Sequence, residues 1–281
     1  MPALILDGRP VADRILGEVA AGSAELARLR GRPPALAAVG VGEDPATRSY
    51  FRSISRLAEK AGVRFEARYL PADISPAGLL AEIGRLNADP EVDGVLIQMP
   101  LPPHLDAARA AEALDPAKDV DGITPENAGR LFLGRPRLVP STPVGGLEVL
   151  KAYNIPLEGR RAVVVGRSNI LGKPLALMLL AENATVTVCH RHTRNLGEVT
   201  REAEVLCVGA GRPGLITADM VRPGAVVLDF GTNWTERGLV GDVDFEAVKE
   251  VVAAITPVPG GIGPVTTAVL LRNTLRAARR D

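Results

Sequence analysis

The stretch Val163-Val164-Val165-Gly166-Arg167-Ser168-Asn169-Ile170-Leu171-Gly172-Lys173-Pro174 decides the fold of the second half of this chain. A β-branched apolar run is strand material, Gly166 ends it, and Pro174 suits the first turn of a helix, where its missing N–H costs nothing. A glycine at the strand end lets backbone approach a pyrophosphate that a Cβ would hold off. The helix predicted from about Gly172 to Glu182 would offer free N–H groups and the positive end of its dipole to that anion. The pattern departs from G-x-G-x-x-G, because Ser168 stands at the second glycine and the last is delayed to Gly172. Taken alone, the same residues also describe a plain tight strand-to-helix turn.

The next strand, 184–189, adds a second signal. It ends in Cys189-His190-Arg191-His192-Thr193, with no acid about 20 residues past the first glycine, where a ribose 2′-hydroxyl would be held. Arg191, helped by Arg167, suits a 2′-phosphate instead. NADP is therefore expected over NAD, the plainer reading of Arg191 being a solvated loop charge.

Working outward, further strands are predicted at 203–208, 225–230 and 252–255. Gly209, Gly211, Gly214 and Gly231 fall at or just after strand ends, the edge where ligands sit in open α/β sheets. The first half repeats the alternation. A long amphipathic helix spans 9–30, strands lie at 34–41, 64–70 and 94–99, and helices lie at 46–61 and 75–86. A short helix near 105–114, a connecting helix over 142–153 and a tail helix over 263–280 complete the reading. The order implies parallel sheets covered by helices. We expect an α/β fold with an N-terminal α/β domain over 1–121, on which the tail helix 264–281 packs back. A Rossmann-like, doubly wound NADP-binding domain follows over 122–263.

Composition bounds the function. The 281 residues carry 33 Lys+Arg against 33 Asp+Glu, which argues against a nucleic-acid binder. No apolar run approaches the roughly 20 residues of a membrane span, and charge appears at once in Asp7-Gly8-Arg9, so a cytoplasmic protein is expected. Cys189 and Cys207 sit in strand-like runs and are expected to be buried free thiols. No metal is expected. Only five residues are lysine: Lys60, Lys118, Lys151, Lys173 and Lys249.

Six segments in order make a more specific signature. They are Val41-Gly-Glu-Asp-Pro-Ala-Thr-Arg-Ser-Tyr50, Ile97-Gln98-Met-Pro100-Leu-Pro102, Lys118-Asp-Val-Asp121-Gly122 with Asn127 and Gly129, Pro140-Ser-Thr142-Pro143, the Gly166 turn, and Pro257-Val-Pro-Gly-Gly-Ile-Gly-Pro264. Over nearly the whole chain this set closely resembles the bifunctional methylenetetrahydrofolate dehydrogenase/methenyltetrahydrofolate cyclohydrolase family of one-carbon metabolism. The resemblance implies a homodimer with a cleft between a catalytic and an NADP domain. It implies hydride transfer from 5,10-methylenetetrahydrofolate to the nicotinamide, then hydrolysis of the methenyl product to 10-formyltetrahydrofolate. Tyr50 matches the tyrosine that stacks on the folate, and a flat apolar ring suits that task. Gln98 matches a glutamine that contacts the family's catalytic lysine and the substrate. Asp121 matches an aspartate gripping the donor edge of the pterin, as a two-oxygen acceptor can; it also suits a turn before Gly122. The loop ending at Pro264 lines the substrate site by the same resemblance, and Thr142, Gly166, Arg167, Ser168, Gly172, Arg191 and Gly231 are the expected cofactor residues.

One position departs sharply. The family's catalytic lysine lies four residues past the tyrosine, one helical turn on, and here that residue is Ile54. Isoleucine neither transfers a proton nor orients water. Arg52 and Arg56 lie about 200° and 240° around the helix from Tyr50, and guanidinium does not readily give up its proton. Of the lysines, only Lys118 lies close in sequence to Asp121. The expectation is that the hydride step persists while cyclohydrolase activity is weak or lost. The rivals are a folate- and NADP-binding pseudoenzyme and another two-domain NADP dehydrogenase, such as a shikimate dehydrogenase-like enzyme.

Overall fold

A computed structural model describes residues 2–42, 44–236 and 238–280. Met1 and Asp281, at the ends of the expected domains, and Glu43, inside the first quoted segment, lie outside the described residues. The elements are β1 (Leu4–Ile5), α1 (Arg9–Arg30), β2 (Ala35–Val41), α2 (Pro45–Lys60), β3 (Arg64–Leu70), α3 (Pro76–Ala88) and β4 (Gly94–Ile97). Then come α4 (Ala107–Ala113), α5 (Pro125–Phe132), α6 (Ser141–Ala152), β5 (Arg161–Val165), α7 (Gly172–Ala181), β6 (Thr185–Cys189), α8 (Leu196–Thr200) and β7 (Val205–Val208). The last are β8 (Val226–Asp229), β9 (Asn233–Thr235), β10 (Gly238–Val240), α9 (Phe245–Val248), β11 (Ala254–Ile255) and α10 (Ile262–Arg279).

The chain divides into two compact units, one of residues 13–141 with 267–281 and one of residues 1–12 with 142–266. By internal contacts residues 122–141 go with the first of these units, for identifiable reasons. Asn273, on α10, donates to the carbonyls of both Val120 and Val139, and buried Asp119 holds the backbone N–H groups of Ile123 and Thr124. Residues 122–141 are therefore bonded into the first unit. The N-terminus goes the other way, because β1 pairs in parallel with β11.

In the first unit, β3-β2-β4 form a parallel sheet. Its middle strand reads Ala35-Leu-Ala-Ala-Val39, all at most 2 % exposed, as expected of a strand covered on both faces. Val39, Val95 and Ile97 pack with Leu79, Ile83 and Leu86 of α3. Three helices here start on the same device, a polar cap followed by proline: Asp44-Pro45, Ser75-Pro76 and Thr124-Pro125. The cap satisfies orphan N–H groups, and proline has none to lose.

In the second unit, six strands run in the order β1-β11-β8-β7-β5-β6, all parallel. Val163, Val165, Leu206, Val208 and Val227 lie in its core. A small antiparallel hairpin, β9 with β10, leaves the end of β8 and returns. Both cysteines are buried and free.

Candidate functional site

The end of β5 is built from backbone. Gly166 has φ +134°, outside the range of ordinary side chains, and a Cβ there would lie 2.3 Å from the Gly209 carbonyl oxygen. A Cβ on Gly172 would lie 2.1 Å from the Gly166 oxygen. Glycine is required at both places. Ser168 Oγ accepts from the Leu171 N–H at 3.2 Å, closing the turn. Among the described residues no side chain caps α7, although α2, α3, α4 and α5 are all capped. An uncapped N-terminus beside a glycine turn is the arrangement that takes a phosphate.

At the end of β6, Thr193 Oγ1 accepts from the His190 N–H at 2.9 Å and folds the loop back. Arg191 is exposed there, its Nε donating to His192 Nε2 at 3.2 Å. At the end of β8, Gly231 donates to Asp229 at 2.8 Å, and a Cβ on it would meet the Asp242 nitrogen at 2.3 Å. Thr142, in the first turn of α6, and Pro264, in the first turn of α10, are each partly buried and belong to this same unit. Pro264, expected with the substrate residues, thus shares a unit with the cofactor turn.

Tyr50, Ile54, Gln98 and Asp121 lie in the other unit. Capped by Asp44, α2 brings Tyr50 and Ile54 to successive turns. Burial pushes the Tyr50 hydroxyl's pKa well up, the charge of Asp121 adds to this, and a hydrogen bond with Thr267 opposes it. Ser141 donates to Asp121 Oδ1 at 2.9 Å. Burial raises the Asp121 carboxyl to about 6, the Ser141 bond pulls the other way, and nearby Asp119 adds to the rise. Asp121, Tyr50, Ser141 and Thr267 thus form one polar group. Gln98 follows β4, and its Nε2 donates to the Met99 carbonyl at 2.9 Å. Ile54 has no exposed surface; with Phe51 and Ala58 it forms the buried side of α2. Lys118 is no substitute, because its ammonium donates to the carbonyls of Leu86 and Asp89 at 2.9 and 2.7 Å and closes the end of α3.

Sequence reasoning passed over Thr267, Asp119, Asp229 and Asp242 as site residues, and quoted Ser141 only within the segment from Pro140 to Pro143. The pairing of acid and glycine in Lys118-Asp-Val-Asp-Gly122 and Gly241-Asp242 is a signal that could have marked Asp119 and Asp242.

These features define a class: a two-unit α/β protein with a dinucleotide-type parallel sheet in one unit and a partly buried polar group in the other. The comparisons with known proteins make it particular. The catalytic-domain model described as tetrahydrofolate dehydrogenase/cyclohydrolase matches residues 6–121, and that family's NAD(P)-binding domain matches residues 140–281. The chain belongs to the tetrahydrofolate dehydrogenase/cyclohydrolase family. It is 53% identical over 280 residues to the bifunctional protein FolD of Chloroflexus aurantiacus, covering 99% of this chain and 98% of that one. It superposes on the bifunctional FolD structure from Campylobacter jejuni with a TM-score of 0.95 at 43% identity, covering 99% of each chain. The Trypanosoma brucei enzyme, solved with NADP cofactor and inhibitor, gives a TM-score of 0.95 at 37% identity, over 100% of this chain and 98% of that one.

Proposed function

We propose that this chain oxidises 5,10-methylenetetrahydrofolate to 5,10-methenyltetrahydrofolate with NADP, and that its hydrolysis of the product to 10-formyltetrahydrofolate is weak or lost. Family membership supports the first part. One observation carries the second: Ile54, one turn past Tyr50, is fully buried and has no group to move a proton or orient water.

The cofactor fits the residues present. Gly166 and Gly172 let the turn pack backbone against backbone where a Cβ would clash, and with Arg167, Ser168 and the bare start of α7 these would hold the pyrophosphate. Arg191 would pair with a 2′-phosphate, and no acid among His190-Arg191-His192-Thr193 opposes it. Thr142 and Gly231 complete the cofactor residues. When bound, NADP supplies the hydride acceptor. The chain's own part is to bind and orient: the Tyr50 ring against the folate, the Asp121 carboxylate on the pterin's N–H edge, and the Gln98 amide beside the reacting carbon. Orienting two bound partners is worth much of a bimolecular barrier, so this step does not require a side-chain base. Hydrolysis does gain from one, by about 10²–10⁴ in rate.

Two product measurements test the reading. NADPH should form with methylenetetrahydrofolate, faster with NADP than with NAD. Formation of 10-formyltetrahydrofolate from the methenyl compound should stay close to the rate in buffer. Enzymatic hydrolysis well above buffer would overturn the proposed loss, and cofactor binding without NADPH formation would point to a pseudoenzyme. We further read the chain as a cytoplasmic homodimer, on its likeness to the family; light scattering checks the dimer.

A further inference from the structure

The buried carboxylates Asp229 and Asp242 have no part in the chemistry above, yet they organise the sheet edge beside the cofactor turn. Asp242 is 0% exposed and Asp229 3%. Asp242 Oδ2 accepts from the N–H groups of Ala210 at 2.6 Å and Gly211 at 2.8 Å, and its Oδ1 accepts from Asn233 Nδ2 at 2.8 Å. Asp229 Oδ1 accepts from the N–H groups of Gly231 at 2.8 Å and Asp242 at 3.0 Å, and its Oδ2 accepts from Val243 at 2.9 Å. The Asp229 N–H in turn donates to Thr256 Oγ1 at 2.8 Å.

All these donors are neutral; among the described residues no lysine, arginine or histidine donates to either acid. Burying two neighbouring carboxylates without a cation is costly, and burial accordingly raises the Asp229 carboxyl to about 6, against the N–H groups that favour its charge. The surrounding chain is cut to fit the pair, since a Cβ on Gly241 would lie 1.8 Å from Asp229 Oδ2.

What the pair holds in place gives it a purpose. The Gly209 N–H donates to Val165 at 2.8 Å, and the Gly209 oxygen is the atom that forbids a side chain at Gly166. A Cβ on Gly209 would also meet Leu171 at 2.3 Å. The 209–211 loop is therefore the floor of the glycine turn, and Asp242 fastens it from below. In the strand order, β6 lies on one side of β5, and β7 and β8 lie on the other. In dinucleotide folds the adenosine half extends to the first side and the nicotinamide half to the second.

We propose that Asp242, backed by Asp229, is a positioning residue that fixes the 209–211 and 231–233 loops and so selects the complete dinucleotide, acting on its nicotinamide half and leaving its adenosine half unaffected. This rests on the cofactor reading above. The test compares two probes: NADPH, followed by its fluorescence, and 2′,5′-ADP, followed by calorimetry, which offers only the adenosine half. Asp242→Asn sets an amide N–H₂ or a lone acceptor against three donors. It should weaken NADPH binding about tenfold or more and leave 2′,5′-ADP within about twofold. Equal loss of both probes, or loss of neither, would overturn the proposal. If Asp242→Asn fails to fold, Asn233→Ala decides, since at a partly buried site it removes only the 2.8 Å bond to Asp242 and a long one, 3.4 Å, to the Val240 carbonyl. It should weaken NADPH by about threefold with 2′,5′-ADP unchanged, and any other pattern would overturn the proposal. A wild-type chain that binds neither probe would instead refute the cofactor reading itself.

Discussion

Two strand-to-helix junctions in this chain follow one plan and end differently. β2 passes through Gly42, at φ +83°, into α2, and β5 passes through Gly166, at φ +134°, into α7. At α2 the chain supplies its own anion: Asp44 accepts from the N–H groups of Ala46 at 3.3 Å and Thr47 at 2.9 Å. At α7 no side chain fills that place. The first junction is finished as structure, and the position proposed to act, Tyr50, lies further along its helix, one turn before Ile54. The second is left open, and its proposed function lies in the backbone itself. A site made of backbone tolerates little change. A site made of side chains can lose one step of its chemistry by a single replacement and keep its frame.

The largest effect should come from breaking the backbone-built junction. In Gly172→Ala the new Cβ would sit 2.1 Å from a carbonyl oxygen that cannot move without moving Gly166. NADPH affinity should fall by about a hundredfold or more, with circular dichroism showing the sheet intact. Affinity within a few-fold of wild type would mean that the turn is not the phosphate site.

Next comes the side-chain-built region. Ile54→Lys should raise hydrolysis of the methenyl compound by about 10² and leave NADPH affinity unchanged. The ammonium would enter a position with no exposed surface now, so a lower melting temperature should accompany the gain. No gain in a folded variant would show that more than this residue separates the chain from a cyclohydrolase.

The same contrast explains what could be read from sequence. Strand, glycine turn and helix in the second unit were legible because Val163-Val-Val-Gly166 and Gly172-Lys-Pro174 are local signals, and local backbone geometry is what sequence encodes most directly. α2 could be placed for the same reason. The helix Pro125–Phe132 was missed, although Thr124-Pro125 repeats the cap-and-proline device of Asp44-Pro45 and Ser75-Pro76; only eight residues long, it carries too little periodicity to stand out. The hairpin of β9 and β10 has three residues per strand and is invisible for a similar reason. Ser141 on Asp121, and Asp242 on Ala210 and Gly211, join residues that are far apart in the sequence. Such contacts exist only once the sheet has brought strand ends together, so the residue types were visible and their pairing was not.

The smallest effects compare two carboxylates of opposite habit. Asp44 is held below the usual carboxylate range, chiefly by the Thr47 N–H. Its contribution to stability is therefore present above the unfolded value and is lost as pH falls through the folded one. Asp121 is raised from 3.8 to about 6, so the unfolded chain holds fewer protons between those values and stability falls as pH rises through that window. Its ionised form thus costs on the order of 2 kcal/mol above pH 6, trimmed by partial exposure. Asp121→Asn should raise the melting temperature at pH 7.5 by a few degrees, flatten the loss of stability between about pH 4 and 6, and abolish folate binding. Asp44→Ala should lower the melting temperature at neutral pH by only about a degree or two, an effect that fades in acid, and leave NADPH binding alone. Equal pH dependence in the two variants would mean that burial does not set the Asp121 charge. The site would then owe its form to the Ser141 bond alone, and Ser141→Ala would have to reproduce the loss of folate binding.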